Sequence, residues 1–502
     1  MKNTVLLAHD IGTSGTKSSL VRLNGTIAAS VASAHATHFP RRGWAEQEPE
    51  EWWRGVCRNT RALARRHPAL CKGIAGIGVS GHMLGCLPVG SDGRALRRCM
   101  IHSDCRAAEQ CAQIRAQVGA ARLYELTGNI LDPRSPLCKV LWLKQHDPAV
   151  YAKTARFLQS KDYIVARLTG DIDGTDFSDA THAQWCDVRR KTYLADVFAA
   201  LGLARGKFPA LRRGIDVAGR LTSGSAKALG LAPGIPVVAG GGDGACATVG
   251  AGVAAPGDAY CCLGTTAWIA CAATEPLIDP QRRLFNILAL DGETCGVYGT
   301  VQSAGSSVQW AMDVLGEKDF KRFAALLAAA PAGSDGLVYL PYLEGERSPI
   351  WDANARGVYF GITPRHGRAH LLRAAVEGVS FALRSVLDVF RETHAIPLLR
   401  LIGGGARSPV WRELLANICN VQIGALAAPT EDATSLGAAI AAGVGVGVFP
   451  SVAAAARRIA IKERCRPAAA LTQRYAASYE VYAALYPALK PAYELLARSM
   501  TD

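Results

Sequence analysis

The strongest constraint on the fold is a pattern written twice, roughly half the chain apart. An apolar run ends in a turn rich in glycine and hydroxyls, and a second apolar run returns from it. The first copy is Val5-Leu6-Leu7-Ala8, the polar turn Asp10-Ile-Gly-Thr-Ser-Gly-Thr-Lys17, then Ser18 to Leu23. Asn24-Gly25, a strong hairpin dipeptide, precedes a further strand over Thr26 to Val31. The second copy runs from Asp258 to Leu263, turns at Gly264-Thr265-Thr266 and returns through Ala267 to Ala272. The repetition predicts a duplicated α/β domain, with residues 1–251 in one copy and 252–502 in the other. A chain of 502 residues is too long for a single core, and domain-size scaling independently asks for about two to four.

Between these copies the punctuation is clear. Pro49-Glu50-Glu51 starts a helix, because proline suits the first helical position and acids suit the positive dipole end. Ile74 to Ser80 and Cys86 to Val89 read as strands, and helices are expected around Asp104 to Gln117 and Lys139 to Gln145. Pro236 to Ala239 reads as a strand that ends in Gly240-Gly-Gly-Asp-Gly244 and opens a helix of small residues. Leu398 to Ile402 reads as another, leading through Gly403-Gly-Gly-Ala-Arg-Ser408 into a helix near Pro409. Leu436 to Ala456 is apolar, but it is mostly Ala and Val and is broken by glycines and Pro450. A membrane span needs about 20 strongly apolar residues, so a buried helix and a loop are expected there. Gly443-Val-Gly445-Val-Gly447 lacks the preceding strand of a dinucleotide site and reads as close packing.

Composition removes several function classes. With 49% hydrophobic, 20% charged and 7% aromatic residues, the chain suits a globular enzyme. The N-terminal apolar run is too short for a signal peptide. The 15 cysteines are scattered apart from Cys261-Cys262 and lack zinc-site spacing, so reduced thiols in the cytoplasm are expected. The net charge of +14 raises the question of nucleic acid. Arg58 to Arg66, however, reads as a solvated helix face with no interleaved aromatic platforms. A basic balance equally suits a protein that handles nucleotides and sugar phosphates.

Three segments could carry chemistry. In Asp10 to Lys17, backbone N–H groups and hydroxyls can converge on phosphate oxygens, Lys17 adds charge, and Asp10 can hold Mg²⁺ directly or through water. An ordinary polar turn is the plainer reading. Asp243 sits among glycines at the carboxyl end of a strand, where open α/β sheets place reactive groups. It could accept a proton from a hydroxyl that attacks a phosphate, or simply cap a helix. Gly403 to Ser408 would let a flat base approach the backbone, or would merely connect strand to helix. No Gly-x-x-x-x-Gly-Lys-Ser/Thr occurs, so a P-loop is not the phosphate device.

Taken in order, these segments resemble the FGGY carbohydrate kinases, and most of all their xylulokinase branch. The resemblance covers nearly the whole chain. It includes Asp10 to Lys17, Gly43-Trp-Ala-Glu-Gln-Glu-Pro-Glu-Glu-Trp-Trp53 and Gly240 to Gly244. It continues through Gly264 to Thr266, Leu340-Pro-Tyr-Leu-Glu-Gly-Glu-Arg-Ser-Pro349, Gly357-Val-Tyr-Phe-Gly361 and Gly403 to Trp411. It implies an α/β fold of two actin-like ATPase (ribonuclease H-like) domains with a catalytic cleft between them. Sugar and phosphate would bind the first domain, nucleotide the second. Asp243 then aligns with the catalytic base and Asp10 with the Mg²⁺-associated acid. Gly12, Thr13, Ser14 and Lys17 align with one phosphate loop, and Gly264, Thr265 and Thr266 with the other. Gly305, Gln309, Gly404, Gly405 and Ser408 align with nucleotide-contacting positions. His82, Met83, Asp104 and Asp243 fall at the sugar site. ATP and Mg²⁺ are the implied cofactors, and a homodimer is compatible with the family. The Trp44 and Glu46 block reads as mainly structural.

The sugar pocket departs from the branch pattern. Gly81-His-Met-Leu-Gly85 stands where Gly-Gln-Met-His-Gly is usual, so Leu84 replaces a hydrogen-bonding histidine. His102-Ser-Asp-Cys-Arg106 stands for Trp-Asn-Asp-x-Arg, keeping Asp104 and Arg106. His82 and His102 are either polar substrate contacts or structural histidines. A ketose such as D-xylulose or another pentulose or hexulose is expected, with a polyol of the glycerol or erythritol type as the alternative. A non-catalytic sensor and a polymerising ATPase of the same fold are the rivals. Retention of Asp10 and Asp243 argues against the sensor.

Overall fold

The computed structural model describes residues 4–427 and 432–499. They divide into two compact units. One holds 4–256 together with 272–297 and 432–459; the other holds 257–271, 298–427 and 460–499.

The first unit is built on a twisted mixed sheet. Its strands are β1 (Val5–Ile11), β2 (Gly15–Arg22), β3 (Ile27–Ala34), β4 (Ile74–Gly81), β5 (Val217–Arg220) and β6 (Pro236–Val238). They lie in the order β5-β6-β4-β1-β2-β3. β1, β4 and β6 run parallel, while β2 and β5 are antiparallel to their neighbours. β1 and β4 are apolar along both faces because helices cover both, as parallel strands require. Helix α1 (Pro49–Arg66) covers one face through Trp52, Val56 and Leu63. Its first turn carries Pro49, Glu50 and Glu51 and its last turn Arg65 and Arg66, which matches the helix dipole at both ends. The helix Ala433–Gly445 packs the other face. The small residues there permit very close approach: a Cβ on Gly78 would lie 2.0 Å from the Ala438 carbonyl oxygen. Gly443 and Gly445 are likewise packed against Phe449 and Ile215, and a short helix Val452–Ala456 follows where a loop was expected.

The second unit repeats the pairing rule. Strands β7 (Ala259–Leu263), β8 (Ala267–Ala273), β9 (Leu398–Ile402), β10 (Gln422–Leu426) and β11 (Ile461–Cys465) follow the order β8-β7-β9-β10-β11. Here β7, β9 and β10 run parallel, and β8 and β11 are antiparallel. The sequence of pairings is that of β2-β1-β4-β6-β5, so the duplication inferred from two turns extends to five strands. Among the described residues, no helix is long and apolar enough to cross a membrane.

Candidate active site

The parallel register of the first sheet brings two carboxylates to one end of it. Asp10, at the end of β1, lies beside Ser80 of β4, and Ser80 lies beside Gly241 on its other side. Gly241-Gly242 continues past β6 as a two-residue strand, and Asp243 is the first residue of the helix Asp243–Gly250. Gly240 is needed for this path: its φ is +72°, and a Cβ there would meet the Val79 carbonyl oxygen at 2.0 Å.

The two acids differ in their partners. Thr434 donates to Oδ2 of Asp10 at 2.6 Å, while Oδ1 is buried with no hydrogen-bond partner among the described residues. Burial raises the pKa of Asp10, opposed by the Thr434 hydroxyl and by Lys17. The free, buried acceptor is the chemistry a divalent cation or its water would meet. Lys17, opposite Asp10 on β2, donates to Asp432 at 2.8 Å. Asp243 is half-buried and accepts from the Gly244 N–H at 2.8 Å. Burial first, then the nearby Asp10 charge, pushes it up to about 7. A carboxyl at that pKa can take a proton at neutral pH.

The turn Gly12-Thr13-Ser14 closes β1 onto β2, with the Gly12 N–H donating to the Gly15 carbonyl at 2.9 Å. It is braced from outside. The Gln47 amide donates to the Thr13 carbonyl at 2.7 Å, and the Trp52 indole donates to Gln47 at 3.0 Å. The Gly43–Trp53 block thus supports the turn rather than lining it.

Beside Asp243, a Cβ on Gly242 would fall 2.5 Å from the Met83 side chain, which places Met83 against the loop. His82 is 1% exposed, edge-on to Trp52 at 5.3 Å and 6.2 Å from His102. Neither of its ring nitrogens has a hydrogen-bond partner among the described residues. Burial, then His102, pushes its pKa well below the usual value, so the ring is neutral and can both donate and accept. Leu84 has φ +61°, a backbone region costing about 1–2 kcal/mol for a residue with a Cβ. Its carbonyl is held by Lys139 at 2.8 Å, and the same ammonium donates to the Ile101 carbonyl at 2.7 Å. Lys139 is fully buried and ties together the two segments that depart from the branch pattern. Asp104 is also fully buried: it accepts from Ala45 N–H at 2.7 Å and from Arg106, whose guanidinium lies 3.6 Å over Trp44 and also pairs with Glu46.

In the second unit, Gly264-Thr265-Thr266 joins β7 to β8, with the Gly264 N–H on the Thr266 carbonyl at 3.0 Å. The helix Gly305–Val314 starts against this turn: Gly305 N–H donates to the Gly264 carbonyl at 2.9 Å and Ser306 N–H to that of Thr265 at 3.1 Å. Gly403, with φ +85°, crosses the end of β7, where a Cβ would meet the Leu263 oxygen at 2.6 Å. Gly404 faces open space, and Gly405 packs on Leu263. Two of the expected residues stand apart from this convergence. Gln309 is exposed and donates to Asp313, and Ser408 caps the helix Pro409–Cys419 through the Trp411 N–H.

Thr434, Asp432 and Lys139 are absent from the sequence-based set. Lys139 had a signal: it is a single charge inside the otherwise apolar Leu137–Leu143.

Comparison with known proteins identifies the family. Residues 5–250 match the N-terminal domain of the FGGY family of carbohydrate kinases, and residues 259–446 match its C-terminal domain. A xylulose kinase of Escherichia coli (strain K12) is 34% identical over 415 residues, which are 82% of this chain and 84% of that protein. Ligand-bound xylulose kinase from Lactobacillus acidophilus superposes with a TM-score of 0.92 at 27% identity, over 98% of this chain and 100% of that one. Gluconate kinase from the same organism has the same TM-score and identity, over 98% and 99%.

Proposed function

The chain belongs to the FGGY family of carbohydrate kinases, and from that premise we propose that it transfers the γ-phosphoryl group of ATP to a hydroxyl of a ketopentose of the xylulose type. The observation that carries the mechanism is the pair of unequal carboxyls at one end of the first sheet. Asp243, raised to about 7, takes the proton of the attacking hydroxyl. Asp10, with its unpartnered Oδ1, would hold Mg²⁺ directly or through a water molecule. Bound Mg²⁺ would supply positive charge to the phosphate oxygens.

The backbone N–H groups of Thr13 and Ser14, on the turn that the Gly12 N–H closes, bind the transferring phosphate, and Lys17 exchanges Asp432 for a phosphate oxygen. Gly264, Thr265 and Thr266 bind phosphate in the second unit. Gly404 leaves backbone open to the nucleotide, Gly305 and Gly405 let the adjoining segments pack closely beside it, and Gln309 and Ser408 lie at the edge of its site. His82 and Met83 line the sugar pocket, where the neutral His82 ring hydrogen-bonds a hydroxyl. Asp104 contributes from behind by fixing Arg106 and the Ala45 N–H. The relatives named for xylulose support the ketopentose, and the fifteen free thiols suit a reducing cytoplasm.

The test is ADP release with Mg²⁺-ATP across ketopentoses, ketohexoses, polyols and gluconate, with a no-sugar control and with Asp243→Asn. We expect D-xylulose to stimulate turnover most and Asp243→Asn to lose at least about a hundredfold in kcat. Equal turnover by Asp243→Asn would remove Asp243 as the base. Preference for another sugar would replace the substrate while leaving the base in place.

A further inference from the structure

A buried relay stands behind Asp243 that the reaction itself does not use. Lys161, Asp162, Asp176 and Asp179 are all fully or almost fully buried. The Lys161 ammonium contacts Asp162, lies 3.0 Å from Asp176 Oδ1 and 3.2 Å from Asp179. Burial pushes the Asp179 carboxyl well up, opposed by the Lys161 ammonium. Asp176 caps the helix Phe177–His182, accepting from the Ser178 N–H at 2.9 Å and from the Ser178 hydroxyl at 2.5 Å. With its proton so directed, Ser178 Oγ can only accept from elsewhere, and it accepts from the Gly242 N–H at 2.9 Å. Gly242 immediately precedes Asp243, and Met83 presses on the position a Gly242 Cβ would take. The amide is therefore clamped by a hydroxyl whose orientation is set by a carboxylate, which in turn is fixed by a buried ammonium.

We infer that Ser178, oriented by Asp176 and Lys161, is a positioning residue for Asp243: it fixes the Gly242 amide and thereby aims the Asp243 carboxylate at the acceptor hydroxyl. A buried carboxylate–ammonium cluster is a costly way to hold a helix start that an uncharged cap would hold as well. What the cluster adds is a single orientation for one acceptor lone pair. Displacements of this kind, small and remote from the reacting atoms, can lower turnover by large factors.

The inference rests on the reading of Asp243 as the base, and the experiment separates the two. Ser178→Ala and Ser178→Thr in the full-length chain would be compared with wild type for kcat, both KM values and the acid limb of kcat/KM. Ser178→Ala should lower kcat about tenfold with both KM values within about twofold. It should also move the acid limb to lower pH, because a loosened turn admits water to Asp243. Ser178→Thr, which keeps the hydroxyl, should restore both. Loss of thermal stability in Ser178→Ala with kcat and the acid limb unchanged would overturn the inference, even with Asp243→Asn inactive. Hydrogen exchange in the wild type needs no variant to fold: the Gly242 amide should exchange at least tenfold more slowly than exposed loop amides. Exchange at loop rates would also overturn it.

Discussion

Thr434 donates its hydroxyl to Asp10 at 2.6 Å across a separation of 424 residues in sequence. The helix Ala433–Gly445 that carries Thr434 comes from the second half of the chain but packs on the first sheet. The bond takes one oxygen of Asp10 and leaves the other aimed by default. Removing it should let the carboxylate rotate and should raise its pKa further, since the hydroxyl opposes the effect of burial. Thr434→Val is therefore expected to raise the Mg²⁺ concentration for half-maximal turnover about three- to tenfold, with a smaller loss at saturating Mg²⁺. A Mg²⁺ titration of initial rates checks this; an unchanged midpoint would show that Thr434 serves packing alone.

Asp243 links activity to pH with a definite sign. As a base it must be deprotonated, so kcat/KM for the sugar should fall as pH drops through about 7. Its effect on stability runs the other way. A carboxyl whose folded pKa lies above its unfolded value favours folding fully below the unfolded pKa and loses that contribution as pH rises to the folded one. Wild type thus bears the cost of a buried charge at pH 8, and Asp243→Asn does not. The variant should melt at higher temperature than wild type at pH 8, with the gap narrowing toward pH 5. Thermal melts at the two pH values decide it; a variant less stable at pH 8 would contradict the burial of the charge.

Much of this site is local in sequence, and that part was legible. Asp10 and Asp243 each sit where an apolar strand breaks into glycines, and Gly264-Thr265-Thr266 repeats the first turn at the same place in a second sheet. What could not be read depends on tertiary pairing. Asp432 and Thr434 reach Lys17 and Asp10 only because a distant helix returns to the first sheet. Ser178 touches Gly242 only through the docking of the short helix that Asp176 caps. Leu84 lacks the imidazole that the branch pattern has there, yet its left-handed backbone, which no pattern of apolar residues encodes, decides which way its carbonyl points.

Lys139 should separate sugar binding from the rest of the reaction. Its ammonium holds the Leu84 and Ile101 carbonyls and so sets the spacing between the two segments flanking His82 and His102. Lys139→Met keeps the apolar stem and leaves both carbonyls without that donor. We expect the KM for sugar to rise at least about tenfold with the KM for ATP within about twofold. A parallel rise in both constants would mean that the fold of the first unit, rather than the pocket, had been disturbed.

The last prediction addresses the nucleotide side alone. A Cβ on Gly305 would stand 2.5 Å from the Gly264 carbonyl oxygen and 3.6 Å from the Thr265 Cα, all of it backbone that cannot swing aside. Gly305→Ala must therefore push the start of its helix away from the turn, lengthening the Gly305 N–H to Gly264 and Ser306 N–H to Thr265 bonds that now measure 2.9 and 3.1 Å. If Gly264 to Thr266 binds the phosphates of ATP, this displacement weakens nucleotide binding while leaving Asp10, Asp243 and the sugar pocket as they are. The expected result is a KM for ATP raised at least about tenfold, a sugar KM within about twofold, and a Mg²⁺ midpoint close to wild type once ATP is saturating. Calorimetric titration with ADP gives the same comparison without turnover. An ADP affinity equal to wild type in a folded Gly305→Ala would show that the second turn does not bind nucleotide.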